Sequence, residues 1–362
     1  MIRLTLTALS LTLALPATAQ EVTREGLGYN AATGLPYEAP GRGIVDYDAL
    51  VRRELEVLKH QFGAFRDASA QMESTARAYC AGDTDADAVK AATRAAWIAW
   101  APLDSYQFGP MEHTGAALTV NFWPDKRGFV NAGVAQIYTL PEAEQGTPEG
   151  IAKVSAAGQG FPALAEVLTN DDLADCPAVI GLSANLAGLG ERLDAEWFGP
   201  QGWAEIAGSA GPDNPVYLAP FEFTKEIYSS VMFGLIRAGE QRIARPMGTE
   251  RGGIPARVDG HRLAIGSDLI KAQLAGAAEM LQLGFAGDVT EPDRAWVIDV
   301  FEQAEARIDR IGMPLAEAVV DPDARWRVGE ALNKITYLKE QMDRDIGPEL
   351  GVDTGFSPAD GD

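Results

Sequence analysis

From Tyr47 onward the large apolar residues fall at Tyr47, Val51, Leu55, Leu58, Phe62 and Phe65, in steps of four, four, three, four and three. That spacing lines one face of an α-helix; a strand, whose side chains alternate with period two, cannot use it. A second stripe runs Val179, Leu182, Leu186, Leu189 and Leu193, with Asp175 and Pro177 suited to a helix start. Others pass through Ile227, Val231 and Leu235, through Ile270, Leu274, Ala277 and Leu281, and through Val328, Leu332, Ile335, Leu338, Met342 and Ile346. The last stops at Gly347-Pro348, where proline has no N–H to continue the helical ladder. One run, Leu118-Thr119-Val120-Asn121-Phe122, alternates as a strand does, but no partner hairpin is evident. The chain is expected to be all-α.

At 362 residues and 46% hydrophobic composition the chain can bury a substantial core, and at roughly 100 to 200 residues per domain its length fits one large domain or two moderate ones, with two helical bundles expected of an all-α chain this long. The break is expected in the Gly/Pro-rich stretch 198–215, which holds Gly199-Pro200, Gly202, Gly208, Gly211-Pro212 and Asn214-Pro215. Residues 44–200 then form a first helical bundle and residues 215–362 a second, preceded by an N-terminal extension over 20–43. The two halves are candidates for a diverged duplication, although no period repeats in the residues. A second irregular stretch, 245–255, interrupts the later half.

Residues 1–19 read as a cleavable secretory signal, with Arg3, an apolar run from Leu4 to Leu15 and a small-residue ending at Ala19. No later stretch is long enough to span a bilayer, so the mature protein is expected in the periplasm. In an oxidising compartment Cys80 and Cys176, the two cysteines of the chain, have each other as partners, and a disulfide between them is expected; two unpaired buried thiols are the alternative. Thirty Lys and Arg against 52 Asp and Glu give a net charge of -22, which opposes nucleic acid and bare anionic membranes as partners.

Nucleophile elbows, phosphate loops and the paired-histidine zinc motif are absent. Asp83, Asp85 and Asp87 imitate the start of a calcium loop, but Ala88 replaces the glycine at the sixth position and Arg94 the glutamate at the twelfth; capping of the helix near Ala88 is the simpler role. Trp97, Trp100 and Asp104 share a helical face, followed by Tyr106, Phe108-Gly109-Pro110, Glu112 and His113, then Asn121-Phe122-Trp123-Pro124-Asp125-Lys126. They can wall a cleft, with Asp104, Glu112 and His113 as its polar groups, or simply form an aromatic core.

The stretch from Cys80 to Pro110, the 121–126 run, Gly160-Phe161-Pro162-Ala163-Leu164, and the end from Leu350 through Gly355-Phe356 to Asp360-Gly361-Asp362 together resemble the imelysin family. The resemblance covers nearly the whole mature chain. It implies two helical bundles with a site between them, in exported bacterial proteins named for a member described as a peptidase and often associated with iron regulation or uptake. The family signature G-x-H-x-x-E, whose His and Glu can bind one metal ion, aligns on Gly160 to Ala165. Glycine is kept, but Pro162 replaces His and Ala165 replaces Glu; Glu166 stands one place later, about 100° around the helix. Asp259-Gly260-His261-Arg262 stands where related chains resemble E-S-x-R-S. It reads either as a polar cluster facing the cleft or as a capping Asp with an exposed His and a structural Arg.

The resemblance and its missing ligands together imply an exported, non-catalytic protein that binds a small ligand or metal ion in an iron-acquisition or iron-regulated envelope system. Iron is compatible with the sequence, and no cofactor is required by it. The alternatives are a metallopeptidase drawing ligands from Asp104, Glu112, His113, Asp259 or His261, and a scaffold contacting an envelope transport partner. For the pocket, Trp97, Asp104, His113, Trp123, Asp259, His261 and Arg262 are expected to approach the face presented by Gly160, Pro162 and Glu166.

Overall fold

The computed structural model describes residues 45–171, 175–248 and 252–352, with the backbone of four two-residue strands ahead of them. The expected signal segment and the stretch 353–362, which includes Gly355-Phe356 and Asp360-Gly361-Asp362, lie outside the described residues. The strands form two antiparallel pairs, Tyr29 opposite Pro36 and Glu38 opposite Ile44. The architecture that follows is all-α. Its principal helices are α1 (Tyr47–Ala81), α2 (Ala86–Trp100), α3 (Phe129–Ile137), α4 (Phe161–Thr169), α5 (Cys176–Phe198), α6 (Pro220–Ile236), α7 (Gly266–Glu279), α8 (Glu291–Asp309) and α9 (Arg325–Gln341).

Asp46 opens α1, its carboxylate accepting from the Ala49 N–H at 3.0 Å. Of the expected stripe, Tyr47, Val51, Leu58, Phe62 and Phe65 are buried and Leu55 half-buried. At 35 residues, and so roughly 50 Å, α1 is long enough to serve both bundles. It packs on α2 and α5 in the first and on α6 and the turn after α7 in the second, leaving one continuous apolar core. Phe62, Phe65, Trp100 and Trp197 fill the centre of the first bundle, with Phe65 edge-on to Trp100 at 5.0 Å. In the second bundle α8 packs along α9 through Val297, Val300, Phe301, Ala304 and Ile308.

The disulfide expected between Cys80 and Cys176 is present, tying the last turn of α1 to the first of α5. It spans 96 residues of sequence, a closure that removes about 4 to 5 kcal/mol of unfolded-chain freedom in the loop-entropy picture. Asp85 caps α2, its side chain accepting from Ala88 N–H at 2.9 Å, which is the structural role its sequence offered. The strand-like run at Leu118 is instead the short helix Ala116–Val120, with Ala116 and Val120 buried one turn apart. A five-residue window satisfies either period, and the left-handed Gly115 starts a helix there.

Three helices end in π-helical turns: α6 continues through Arg237–Ala244, α7 through Met280–Gly284 and α9 through Met342–Ile346. In a π-helix the ladder runs from i to i+5, so residues five apart stack as residues four apart do in an α-helix. The first of these turns organises the centre of the molecule.

Candidate functional site

Arg237 and Arg242 lie five apart in the π segment after α6, and the wider turn lets both reach Asp104, which sits in the short 3-10 turn Leu103–Ser105 after α2. Asp104 Oδ2 accepts from Arg237 Nε at 2.7 Å and from Arg242 Nη2 at 2.8 Å. The Nε of Arg242 donates to Asp259 Oδ2 at 3.0 Å, which also accepts from Asn121 Nδ2 at 3.0 Å. Gln273 of α7 accepts from Arg242 through its carbonyl and donates to Ser105 Oγ at 3.1 Å. All these groups are buried, and two guanidiniums balance two carboxylates. Side chains from the first-bundle turns and from α6, α7 and their loops are thus locked into one polar plug between the bundles.

Beside this plug lies a cavity of about 240 Å³ whose walls come from three segments: Phe122 to Asn131, the first turns of α4, and Ala256 to Arg262. Gly160 fixes the α4 wall. A Cβ there would fall 2.2 Å from the Thr119 carbonyl oxygen and 2.3 Å from that of Val120, so glycine alone admits the approach of α4 beneath the Asn121 loop. Pro162 and Ala165, one turn apart on α4, line the cavity. Glu166, rotated out of that line, is buried and ion-paired with Arg262, whose other contacts are Asn131 Oδ1 and His261 Nε2, each at 3.3 Å.

His261 is half-buried, with Nδ1 3.1 Å from the Val258 carbonyl. Burial and then the Arg262 guanidinium hold its imidazole below its ordinary value, outweighing the Val258 carbonyl and the nearby Asp259 and Glu166. The neutral ring therefore donates through Nδ1 and accepts from Arg262 through Nε2, so both nitrogens are engaged. Asp125 is engaged as well: its oxygens accept from the N–H groups of Arg127, Phe129 and Val130 at 3.1, 3.0 and 2.9 Å. Burial raises its carboxyl, but these amides and that of Gly128 outweigh burial and bring it below its ordinary value. Trp123 stands between this cavity and a second, of about 460 Å³; its Nε1 donates to the Arg257 carbonyl at 3.1 Å and its ring lies 5.5 Å under the Arg237 guanidinium.

Of the sequence-predicted residues, Trp123, Pro162, Asp259, His261 and Arg262 line the smaller cavity together, while Gly160 and Glu166 support its wall from outside. Asp104 lies in the polar plug. Trp97 belongs to the aromatic core, stacked on Phe161 at 5.3 Å and 9°. The reading of Asp259 as a helix cap is corrected: Gly260 holds the cap position of the 3-10 turn His261–Leu263, and Asp259 is buried against Arg242. The placement of His113 in the cleft is also corrected. It lies exposed and edge-on to Trp203 at 5.5 Å, because Gly109, at φ +58° and in contact with the Trp203 ring, turns the chain that way. Arg237, Arg242 and Gln273, which hold the plug with Asn121, are the residues that pattern reading of the sequence passes over.

The donor set decides how a metal ion would fare here. Asp104 Oδ1, Asp259 Oδ1 and Asn121 Oδ1 are buried with no hydrogen-bond partner among the described residues. Yet the guanidiniums already neutralise both carboxylates, the imidazole nitrogens are occupied, and Pro162 and Ala165 carry no ligating atom. No three His, Cys, Asp or Glu side chains among the described residues converge on a point an ion can fill. The residues present do not fit a protein-ligated iron or zinc ion.

The model of the imelysin family, peptidase family M75, matches residues 60–342, and the chain belongs to that family. Its fold is shared by an imelysin-like protein from Psychrobacter arcticum, at TM-score 0.70 and 19% identity over 86% of this chain and 98% of that one. A protein from Parabacteroides distasonis described as an iron-regulated protein A precursor is also similar, at TM-score 0.65 and 12% identity over 85% and 98% of the two chains. No curated protein matches the chain. Among the described residues no helix is long and apolar enough to cross a membrane.

Proposed function

We propose that this chain is a non-catalytic, ligand-binding imelysin that is exported to the periplasm and acts in an iron-regulated envelope system. The observation that carries the reading is the α4 wall of the smaller cavity, where Pro162 and Ala165 stand in place of the imidazole and carboxylate of the family signature. Metal-assisted hydrolysis needs an open coordination position, an activated water and a base. Around this cavity Asp125, Asp259 and His261 are held by backbone amides or by arginines instead. What the cavity offers a ligand is the faces of Phe122 and Trp123 and the Arg262 guanidinium, the usual mixture of apolar wall and few polar groups in a small-molecule pocket. The Cys80–Cys176 disulfide and the signal-like leader support export. The Parabacteroides neighbour, described as an iron-regulated protein A precursor, supports the physiological setting.

Elemental analysis of the purified mature protein, with peptide-cleavage assays run with and without chelator, tests the reading. The expected outcome is sub-stoichiometric metal and no turnover. Stoichiometric metal with chelator-sensitive cleavage would establish the metallopeptidase instead.

A further inference from the structure

The larger cavity beside Trp123 is lined by Trp123, Pro124, Asp125, Lys126, Arg245 and Arg257, a basic set on a chain whose net charge is -22. Lys126, Arg245 and Arg257 are all exposed, and no carboxylate among the described residues lies within salt-bridge distance of them. Several other cations of the chain are paired with acids, as Arg53 is with Asp288, Arg66 with Asp194, Lys271 with Asp309 and Arg262 with Glu166.

The three cations come from separate segments of the chain. Arg257 is anchored by its backbone, since its carbonyl accepts from Trp123 Nε1, which leaves the guanidinium free to turn to the cavity. Arg245 follows directly on the π segment that carries Arg237 and Arg242, so its position is set by the buried plug. Lys126 adjoins Asp125, whose oxygens are taken by the turn amides and so compete little for it. Trp123 contributes to the lining, and the Arg237 guanidinium lies 5.5 Å from the centroid of its ring. Three cations around a hollow of about 460 Å³ match the charge of an anion with several carboxylates better than that of one compact tetrahedral group.

We propose that this cavity binds a small polycarboxylate anion, free or as its ferric chelate, with Lys126, Arg245 and Arg257 pairing its carboxylates over the Trp123 ring. The inference rests on the ligand-binding reading above and moves the charged end of the ligand into the neighbouring cavity. It also makes iron cargo inside the anion, ligated by carboxylates of the ligand and not by the protein.

Calorimetric titration of the mature protein with citrate, ferric citrate and inorganic phosphate, alongside tryptophan fluorescence, tests it. Citrate or ferric citrate is expected to bind with a change in indole emission, and with an affinity that falls as salt is raised. R245A and R257A should each weaken binding at least about tenfold, and the exposed side chains make both variants fold normally, as circular dichroism will show. Tighter binding of ferric citrate assigns the chelate as ligand; equal binding assigns the free anion. The proposal is overturned by no binding of either citrate form, by phosphate binding more tightly than citrate, or by binding that R245A and R257A leave intact. If R262A alone abolishes binding, the ligand lies wholly in the smaller cavity: the inference then fails while the ligand-binding reading stands. Chelator-sensitive peptide cleavage would sink that reading independently.

Discussion

Asp104 and Asp259 share the guanidiniums of Arg237 and Arg242, whereas Glu54, equally sealed from solvent on α1, has the Thr224 hydroxyl 3.1 Å from Oε2 and no partner for Oε1 among the described residues. Desolvation penalises the ionised form of all three acids. In the plug the penalty is offset by fixed opposite charge. At Glu54 it is avoided by keeping the proton: burial pushes the carboxyl up to about 8, against the Thr224 bond and the nearby Arg53, with Asp288 adding to the rise. One centre depends on a partner and the other on pH, so they should break differently.

The largest effect is expected from Arg242→Met, which strips Asp259 of its guanidinium and Asp104 of one of two while adding no clash. An uncompensated buried charge typically costs about 3 to 5 kcal/mol, read as a lower midpoint in urea unfolding. If the loss is under about 1 kcal/mol, the plug is not the charge-compensated centre described here.

Glu54→Gln should act in the opposite direction. Because the folded carboxyl titrates near 8 and an unfolded one near 4.5, the wild-type protein has the full Glu54 contribution below about pH 4.5 and loses it as pH rises toward 8. Removing the ionisable group should therefore raise stability at pH 7 by about 3 kcal/mol and flatten the decline over that range. The check is Tm against pH for both proteins; parallel curves would mean that Glu54 is ionised in the fold.

The smallest effect belongs to Arg262→Gln, at the edge of the cavity. Its pair with Glu166 is partly exposed, so stability should change by less than about 1 kcal/mol. The imidazole of His261 should nevertheless titrate higher once the neighbouring cation is gone, a change that NMR titration of that ring would detect.

The same contrast between local pattern and long-range pairing separates what the residues spell from what they conceal. The stripes of α1, α5 and α9 are legible because each lays an apolar face on the core at helical spacing. The helix α8 spells a weaker stripe, with Val297, Val300, Phe301 and Ile308 set among charges. The signature turn is legible too, since Gly160, Pro162 and Ala165 occupy the three fixed positions of a known motif. The plug is not. Arg237 and Arg242 sit five apart, which in an α-helix would point them about 140° apart, and only the wider turn brings them to one carboxylate. Asp259-Gly260 looks the same whether the acid caps a turn or enters the core, and the choice is made by Arg242, seventeen residues earlier. His113 lies near Asp104 in sequence, but the reversal at Gly109 separates their surroundings.

The π segment Arg237–Ala244 also fixes a rotational phase for the chain that leaves it. Adding or removing one residue there while the π winding persists would rotate all that follows by roughly a quarter of a turn. Arg245 would then face elsewhere, although no atom of its own side chain had been altered. Length within those eight residues is consequently as much a determinant of what the Trp123 hollow displays as the identity of the groups around it.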